Sequence, residues 1–563
     1  MNSKQKFELI WDGKEKRQYL EPRVLVEDST KSYHAKIRHG DDDIFDNMLI
    51  HGDNLLALKA LEQDFAGKVK CIYIDPPFNT GASFENYDDG VEHSIWLSLM
   101  RERLFLLNAL LDKSGSIFIH LDDNEVDYCK VIMDEIFGRK NFINRIVIEA
   151  RAPSAFSTVN PGVFKATEYI LWYAKDKDFF EDIGGRVPRE PDYAYSKWLV
   201  NPENDYTEWT FRNLIDVFSE QVTIRGNNPR RFLDRFNRFI VNNAERICRF
   251  ASISDTGAGQ AILELKKQSI YNPDRMYFMD RGDALDKVYI LNGQQLIFYS
   301  KNVCKIDGEL MATKMMTNIW TDIAWEGIAG EGGVKFKKGK KPERLIRRIL
   351  ELSSKPGDLV LDSFLGSGTT CAVAHKMKRR WIGIELGEQC YSHCIPRLQR
   401  VVSGEDKTGI SQAVNWHGGG GFRFYELGES LIKLDQWGQP IIDKSFNAEM
   451  LAQAVCKLEG FEYAPSQDEY FIHGHSTEHD FIYVTTNFMR QDHLDSISQS
   501  VGTDRTLLIC CKGFEEGCKF GNLTMKKIPK AVLDKCEWGK DDYSLNVAKL
   551  PKSTSVPVQA ELF

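Results

Sequence analysis

Short apolar strands alternate with amphipathic helices in two stretches of this chain, and the two stretches lie about 190 residues apart. In the first, residues 47–53 (Asn-Met-Leu-Ile-His-Gly-Asp) read as a strand ending in a turn, and Leu55, Leu58 and Leu61 follow at helical spacing. A strand from Val69 to Ile74 ends at Asp75-Pro76-Pro77-Phe78. A helix over 91–112 carries Leu97, Met100, Leu104, Leu107 and Leu111 on one face. Ser116–Leu121 is a further strand, and Val126, Cys129, Met133 and Ile136 mark the next helix. The pattern breaks near 150 and resumes near 340. Leu345, Ile349 and Leu352 share a helix face, residues 358–364 form a strand, a glycine turn leads to a helix from Thr369, and Arg380–Leu386 is a strand. Neither stretch has enough strands for a sheet covered on both faces. Joined, they predict an α/β fold: a doubly wound, mostly parallel, Rossmann-like sheet carrying a large insert.

The chain of 563 residues is too long for one hydrophobic core. The expected organisation is an N-terminal extension over 1–45, a first half-sheet over 46–150, an inserted domain over 151–315, a second half-sheet over 316–404 and a C-terminal α/β domain over 405–563. Gly418–Gly421 reads as a linker or a tight loop. No apolar run is long enough for a bilayer. Met1–Gln18 is polar, unlike a secretory signal, and the twelve cysteines have no framework spacing, so a cytoplasmic protein with reduced thiols is expected. The net charge of −8 argues against a protein that coats nucleic acid by bulk attraction, but leaves room for a local basic groove.

Between a strand and a helix lies Asp362-Ser363-Phe364-Leu365-Gly366-Ser367-Gly368-Thr369-Thr370. Gly366 and Gly368 let backbone approach a ligand where a Cβ would intrude. The turn lacks the third glycine of the dinucleotide fingerprint, which argues against a dehydrogenase, and lacks the Gly-Lys-Ser/Thr of a P-loop. Glu385 lies 23 residues after Asp362, at the end of the following strand, where an acid can accept hydrogen bonds from ribose hydroxyls. The pair points to a nucleoside-type cofactor; alone, either reads as an ordinary turn or strand end.

Asp75-Pro76-Pro77-Phe78 lies at the carboxyl edge of the sheet, where ligands bind in open α/β folds. The prolines stiffen the loop and remove backbone donors, leaving carbonyls free to accept. Asp75 adds a carboxylate acceptor and Phe78 a flat face. Together they describe a site for a planar ring bearing an NH2 group. Two acceptors holding both hydrogens of an aryl amine favour a pyramidal nitrogen with its lone pair directed at an electrophile. A base in a duplex must be flipped out to reach such a pocket.

On these residues the chain resembles the β-class amino-methyltransferases, whose catalytic block precedes the cofactor block in a circularly permuted order. Within that class it is similar to the modification subunits of type III restriction systems. The matching stretches are Leu49–Leu55, Asp75–Gly81, Ser94–Leu97 with Arg101–Leu104, Gly115–Asp123, Trp320–Ile323 and Lys341–Ile346, besides Phe364–Gly368. The likeness covers about residues 10–150 and 315–430. It implies a DNA adenine-N6 methyltransferase using S-adenosylmethionine, with Asp75, Pro76, Pro77 and Phe78 catalytic. Cofactor binding falls to Asp53, Asp75, Lys341, Pro342, Asp362, Phe364, Gly366, Gly368, Thr369 and Glu385. Asp53 would contact the cofactor's adenine, and Lys341 and Pro342 would begin the helix covering its methionine part. Asp75, where relatives of similar design carry Ser for cytosine N4, favours adenine.

The resemblance makes the insert a target-recognition domain for double-stranded DNA. Tyr206–Phe250 holds eight Arg, no Lys and five acidic residues. Arg231, Arg235 and Arg238 recur at helical spacing beside Phe232, Phe236 and Phe239, and are candidate DNA contacts; an amphipathic helix with a solvated face explains them equally. Lys335–Arg348, with eight Lys or Arg, is a second basic stretch. Cys390 and Cys394 flank His393 without further metal ligands at suitable spacing, so no metal is expected. Cys510, Cys511 and Cys518 also lack histidine partners. By resemblance the C-terminal domain, with strands at Phe481–Val484 and Leu507–Cys511, serves a homodimer or docks a restriction (helicase-nuclease) subunit. The competing functions are a cytosine-N4 or RNA base methyltransferase and a non-catalytic DNA-specificity subunit.

Overall fold

The computed structural model describes residues 8–15, 20–21, 23–38, 40–79, 93–151, 163–181, 183–222, 229–282, 287–336, 339–430, 432–434, 440–442, 448–515 and 517–528. Two compact units result, one of Met1–Ile183 with Asn318–Phe563 and one of Gly184–Thr317. In the first unit, eleven strands make one sheet among the described residues. They are β1 (Leu25–Glu27), β2 (Tyr33–His34), β3 (Asn47–His51), β4 (Val69–Ile74), β5 (Leu111–Leu121), β6 (Phe142–Glu149), β7 (Thr167–Ala174), β8 (Ile319–Trp320), β9 (Leu359–Asp362), β10 (Arg380–Glu385) and β11 (Gly421–Leu427). The order is β1-β11-β3-β10-β9-β4-β5-β7-β6-β8, with β2 also on β11. From β11 to β5 every pairing is parallel; β7 runs antiparallel to both neighbours.

This order bears directly on the site. The two half-sheets do not merely abut: β9 and β10 sit between β3 and β4. After β4 the chain moves outward to β5, and after β9 it moves the other way to β10. The adjacent pair β9 and β4 is therefore a topological switch point, where the crevice of an open α/β sheet lies. Leu361 of β9 stands beside Ile72 of β4, so the glycine turn and Asp75 leave the sheet side by side.

The central strands are apolar because both faces are covered. Helices α1 (Asn54–Phe65) and α2 (His93–Leu110) set Ala57, Leu58, Leu61, Trp96, Met100, Leu104 and Leu107 against Val69, Ile72, Ile74, Ile117 and Ile119. Helix α3 (Val126–Met133) adds Val126, Cys129, Ile132 and Met133. Helices α4 (Glu343–Ser353), α5 (Thr369–Lys376) and α6 (Ile395–Val402) enclose a charged cluster instead. Lys376 Nζ lies 2.7 Å from both Glu343 Oε2 and Asp406 Oδ2, and Arg397 Nη2 lies 2.8 Å from Glu343 Oε1, all with fully buried side chains. Arg397 Nη1 donates to Thr369 Oγ1 (2.7 Å) and the Ser367 carbonyl (3.2 Å), tying α6 to the glycine turn. Lys376→Met removes one cation from a network with no solvent to replace it. It is expected to cost about 3–5 kcal/mol, read as a lowered denaturation midpoint with unchanged denaturant slope.

The structure moves two boundaries. The separate unit begins at Gly184, not 151, because β7 joins the main sheet between β5 and β6, antiparallel to both. The strand–helix alternation stops at 150 because the sheet turns antiparallel there, not because it ends. The segment from 405 is likewise not wholly a separate tail. The glycines at 418–420 form a tight loop at positive φ, and β11 follows, parallel to β3. At Gly420 a Cβ would lie 2.5 Å from the Ile44 carbonyl, so no other residue closes this turn without displacing the chain. A five-stranded sheet follows within 462–527, with Asp480–Met489, Thr506–Phe514 and Leu523–Lys527 parallel.

Among the described residues, Gly184–Thr317 carries a six-stranded antiparallel sheet and a three-stranded one. Its helix Pro229–Asn242 turns Phe236 and Phe239 toward Phe218 and stacks Phe239 on Trp198. Arg231, Arg235 and Arg238 lie on the exposed side.

Candidate active site

Asp75 follows the last residue of β4. Its Oδ2 lies 2.9 Å from Lys341 Nζ, while its Oδ1 is buried and has no hydrogen-bond partner. The two proline carbonyls differ. The buried Trp96 of α2 donates its indole N–H to the Pro77 carbonyl (2.9 Å), whereas no donor among the described residues reaches that of Pro76. The loop thus presents two buried-edge acceptors, Asp75 Oδ1 and the Pro76 carbonyl, rather than a free carbonyl at each proline. Phe78 is partly buried, with Lys341 Nζ 4.8 Å from its ring centroid and the His120 ring 5.9 Å away. Thr80 and Gly81, the end of the matching stretch, lie outside the described residues.

Behind this pair lies a chain of groups the sequence reading did not assign. Glu168 of β7 places Oε2 2.8 Å from His120 Nε2 and 3.9 Å from Lys341 Nζ. His120 Nδ1 is 2.9 Å from the Tyr73 hydroxyl. Burial pushes Glu168 up, but Lys341, His120 and Arg151 outweigh it and hold the carboxyl down at about 2. Burial pushes Lys341 down, and Asp75 and Glu168 reverse that and leave it raised. His120 and Trp96 lie in stretches that carried the resemblance; nothing in the sequence marked Glu168.

On the neighbouring strands the glycine turn is held from beneath. Glu385, ending β10, accepts from the Gly366 N–H at Oε2 (2.6 Å) and from Gly387 N–H and Gln389 at Oε1 (2.9 and 2.7 Å). Asp362 accepts from Phe364 N–H (2.9 Å) and the Thr370 hydroxyl (2.6 Å). Burial pushes Asp362 up to about 7; those two bonds oppose the rise, and the nearby Asp75 and Glu385 carboxylates add to it. Burial raises Glu385 as well. Gly366 has φ +58, and a Cβ there would meet nothing within 4 Å, so the turn faces open space. Gly368, φ +79, caps α5, and its Cβ position is 3.4 Å from Cys394 Cα.

The structure therefore divides the expected cofactor residues. Phe364, Gly366, Gly368 and Glu385 surround the turn. Asp362 and Thr369 point inward, to Thr370 and Arg397. Lys341 is turned to Asp75, and the buried Pro342 caps α4. Asp53 is buried, and its carboxylate caps α1 through Leu55 and Leu56 N–H and lies 3.4 Å from Arg103. Asn54 instead reaches the turn, donating to the Ser363 carbonyl (2.7 Å). Cys390 and Cys394 are buried thiols whose pKa burial raises, and Cys394 donates to the Gly366 carbonyl (3.2 Å). Among the described residues no group of three or more His, Cys, Asp or Glu could hold a metal.

A family profile described as DNA methylase matches residues 69–395, more than half of the chain. The chain belongs to the DNA methylase family. Relatives include "Probable type III restriction-modification enzyme HindVI Mod subunit" of Haemophilus influenzae, 32% identical over 69% of this chain and 55% of its own length. The EcoPI Mod subunit of Escherichia phage P1, from a type III restriction-modification enzyme, is 28% identical over 66% of this chain and 62% of its own. The type II methyltransferase M.EcaI of Enterobacter cloacae is 28% identical over 61% of this chain and 67% of its own. The chain thus spans between about half and two thirds of these relatives' lengths. No helix among the described residues is long and apolar enough to cross a membrane.

Proposed function

We propose that the chain methylates adenine N6 in double-stranded DNA at a specific sequence, using S-adenosylmethionine. The observation that carries this reading is the acceptor pair Asp75 Oδ1 and Pro76 carbonyl beside a glycine turn on the neighbouring strand. S-adenosylmethionine supplies an activated methyl group when bound. Phe364, Gly366, Gly368 and Glu385 would hold it, Gly366 by leaving space and Glu385 by its carboxylate. The flipped base would stack on Phe78, with its two amine hydrogens on Asp75 Oδ1 and the Pro76 carbonyl. Both acceptors gain strength as positive charge builds on the nitrogen, so they favour the transition state over the ground state. The proton the nitrogen sheds would leave through Asp75 Oδ1.

The same acceptors would hold cytosine N4; Asp rather than Ser at position 75 favours adenine. Nucleoside analysis of DNA incubated with the chain and cofactor separates the two. N6-methyldeoxyadenosine supports the reading, and N4-methyldeoxycytidine replaces it with the second. The relatives' names support a place in a restriction-modification system of type III; a restriction subunit and a second copy of the chain would be its partners.

The unit Gly184–Thr317 would supply target recognition, and the exposed Arg231, Arg235 and Arg238 would meet DNA phosphates. Replacing all three with alanine is expected to weaken DNA binding and to flatten its salt dependence by about three units of log–log slope. An unchanged slope removes them from the interface.

A further inference from the structure

We propose that Glu168 is a positioning residue of the target-base site: from β7 it holds the Lys341 ammonium against Asp75, so that one Asp75 oxygen is tied back and the other is presented to the substrate amine. The role rests on the methyl-transfer reading above.

Lys341 lies between two carboxylates, 2.9 Å from Asp75 Oδ2 and 3.9 Å from Glu168 Oε2, and its side chain is 8% exposed. With Asp75 alone as partner, the ammonium could follow that carboxylate through its rotamers. A second anchor on a different strand fixes where the nitrogen stands and hence which Asp75 oxygen it takes. The remaining oxygen, Oδ1, is the one without a partner.

Glu168 has its own charged and polar neighbours. The Tyr73 phenol, kept protonated by burial and by the Asp75, Asp362 and Glu168 charges, donates to His120 Nδ1. His120 Nε2 lies 2.8 Å from Glu168 Oε2, a close charge contact without hydrogen-bond alignment. Arg151 Nη2 stands 4.0 Å from the other Glu168 oxygen. Residues from β4, β5 and β7, with Arg151 beyond β6 and Lys341 before α4, thus converge on a single oxygen of Asp75. A buried ion pair contributes little to fold stability compared with an apolar replacement. Two carboxylates around one ammonium at the catalytic loop serve orientation and charge.

The groups facing Lys341 are Asp75, Glu168 and Arg151, with His120 and Tyr73 behind Glu168 and Asp362 beside Asp75. Glu168→Gln keeps the shape and removes one of the two charges that raise Lys341. Lysine side-chain NMR of the full chain, with Lys341 assigned by its loss in Lys341→Met, reads this directly. In the wild type the ammonium should persist above the pH at which an ordinary lysine loses its proton; in Glu168→Gln its titration should move to lower pH.

The same variant should lose at least about tenfold in kcat near pH 8. Its cofactor Kd should stay within about twofold, and the alkaline limb of its pH–rate profile should move toward neutral pH. Glu168→Asp, which restores the charge at shorter reach, should recover part of the rate and return the limb. A Glu168→Gln chain with the wild-type Lys341 titration, or with wild-type kcat and pH profile, overturns the proposal. A wild-type chain without any methyl transfer would refute the function reading instead, and the titration would still decide whether Glu168 sets the charge of Lys341.

Discussion

Asp75→Ala is expected to reduce methyl transfer by about a thousandfold or more while leaving cofactor affinity within about twofold. The carboxylate is the acceptor whose Oδ1 faces the site without a partner. Its removal leaves the substrate amine with the Pro76 carbonyl alone, so the nitrogen is neither pyramidalised nor aimed. The glycine turn is untouched, because its backbone is held by Glu385 and Asp362, not by Asp75. Lys341 keeps Glu168 as a counterion, so the chain should still fold. Asp75→Asn should be nearly as inactive, since one face of an amide would present hydrogens to the substrate's hydrogens. Single-turnover rates with saturating cofactor, together with calorimetric titration of cofactor alone, check both halves. Wild-type turnover in either variant contradicts the mechanism.

Gly366→Val is expected to have the complementary effect, with cofactor Kd raised at least about a hundredfold and the fold retained. The φ of +58 is strained for any branched side chain, at a cost of about 1–2 kcal/mol. No protein atom lies within 4 Å of the new Cβ, so the strain does not become a clash inside the fold. The side chain instead fills the open space before the turn. A twist of the backbone to relieve the strain would draw the Gly366 N–H away from Glu385, which disturbs the second cofactor contact as well. Equilibrium dialysis with labelled cofactor measures the loss, and the denaturation midpoint confirms the fold. A wild-type Kd would remove the turn from the cofactor site.

What the sequence made legible were features whose chemistry is local. Asp75 to Phe78 and Gly366 to Gly368 each sit at a strand end, and the residue types alone restrict what such a turn can bind. Five of the six parallel strands were foreseeable because each apolar strand is followed by a helix or a turn. Features that depend on register were not. Asp53 reads as a strand-end acid, and only the start of α1 at the next residue shows that its carboxylate caps a helix. Trp96 and Arg103 read as two more residues on an apolar helix; one holds the Pro77 carbonyl and the other holds Asn54.

Glu168 was hidden for a topological reason. It lies on β7, where the sheet turns antiparallel and the strand–helix pattern that marks the fold ceases. The same applies to β11, which joins the sheet after a glycine loop that sequence alone could not distinguish from a linker. Lys341 shows the limit from the other side. A basic stretch at the start of a helix suggests phosphates or a cofactor, yet its buried amine is directed to a carboxylate nearly 270 residues earlier.

The most direct test of the central claim is single-molecule sequencing of DNA from cells lacking their own adenine methylation, expressing either this chain or its Asp75→Ala variant. The account predicts N6-methyladenine within one recurring sequence in the first sample and its absence from the second. Modification confined to cytosine, or the same pattern of adenine modification with and without Asp75, would contradict it.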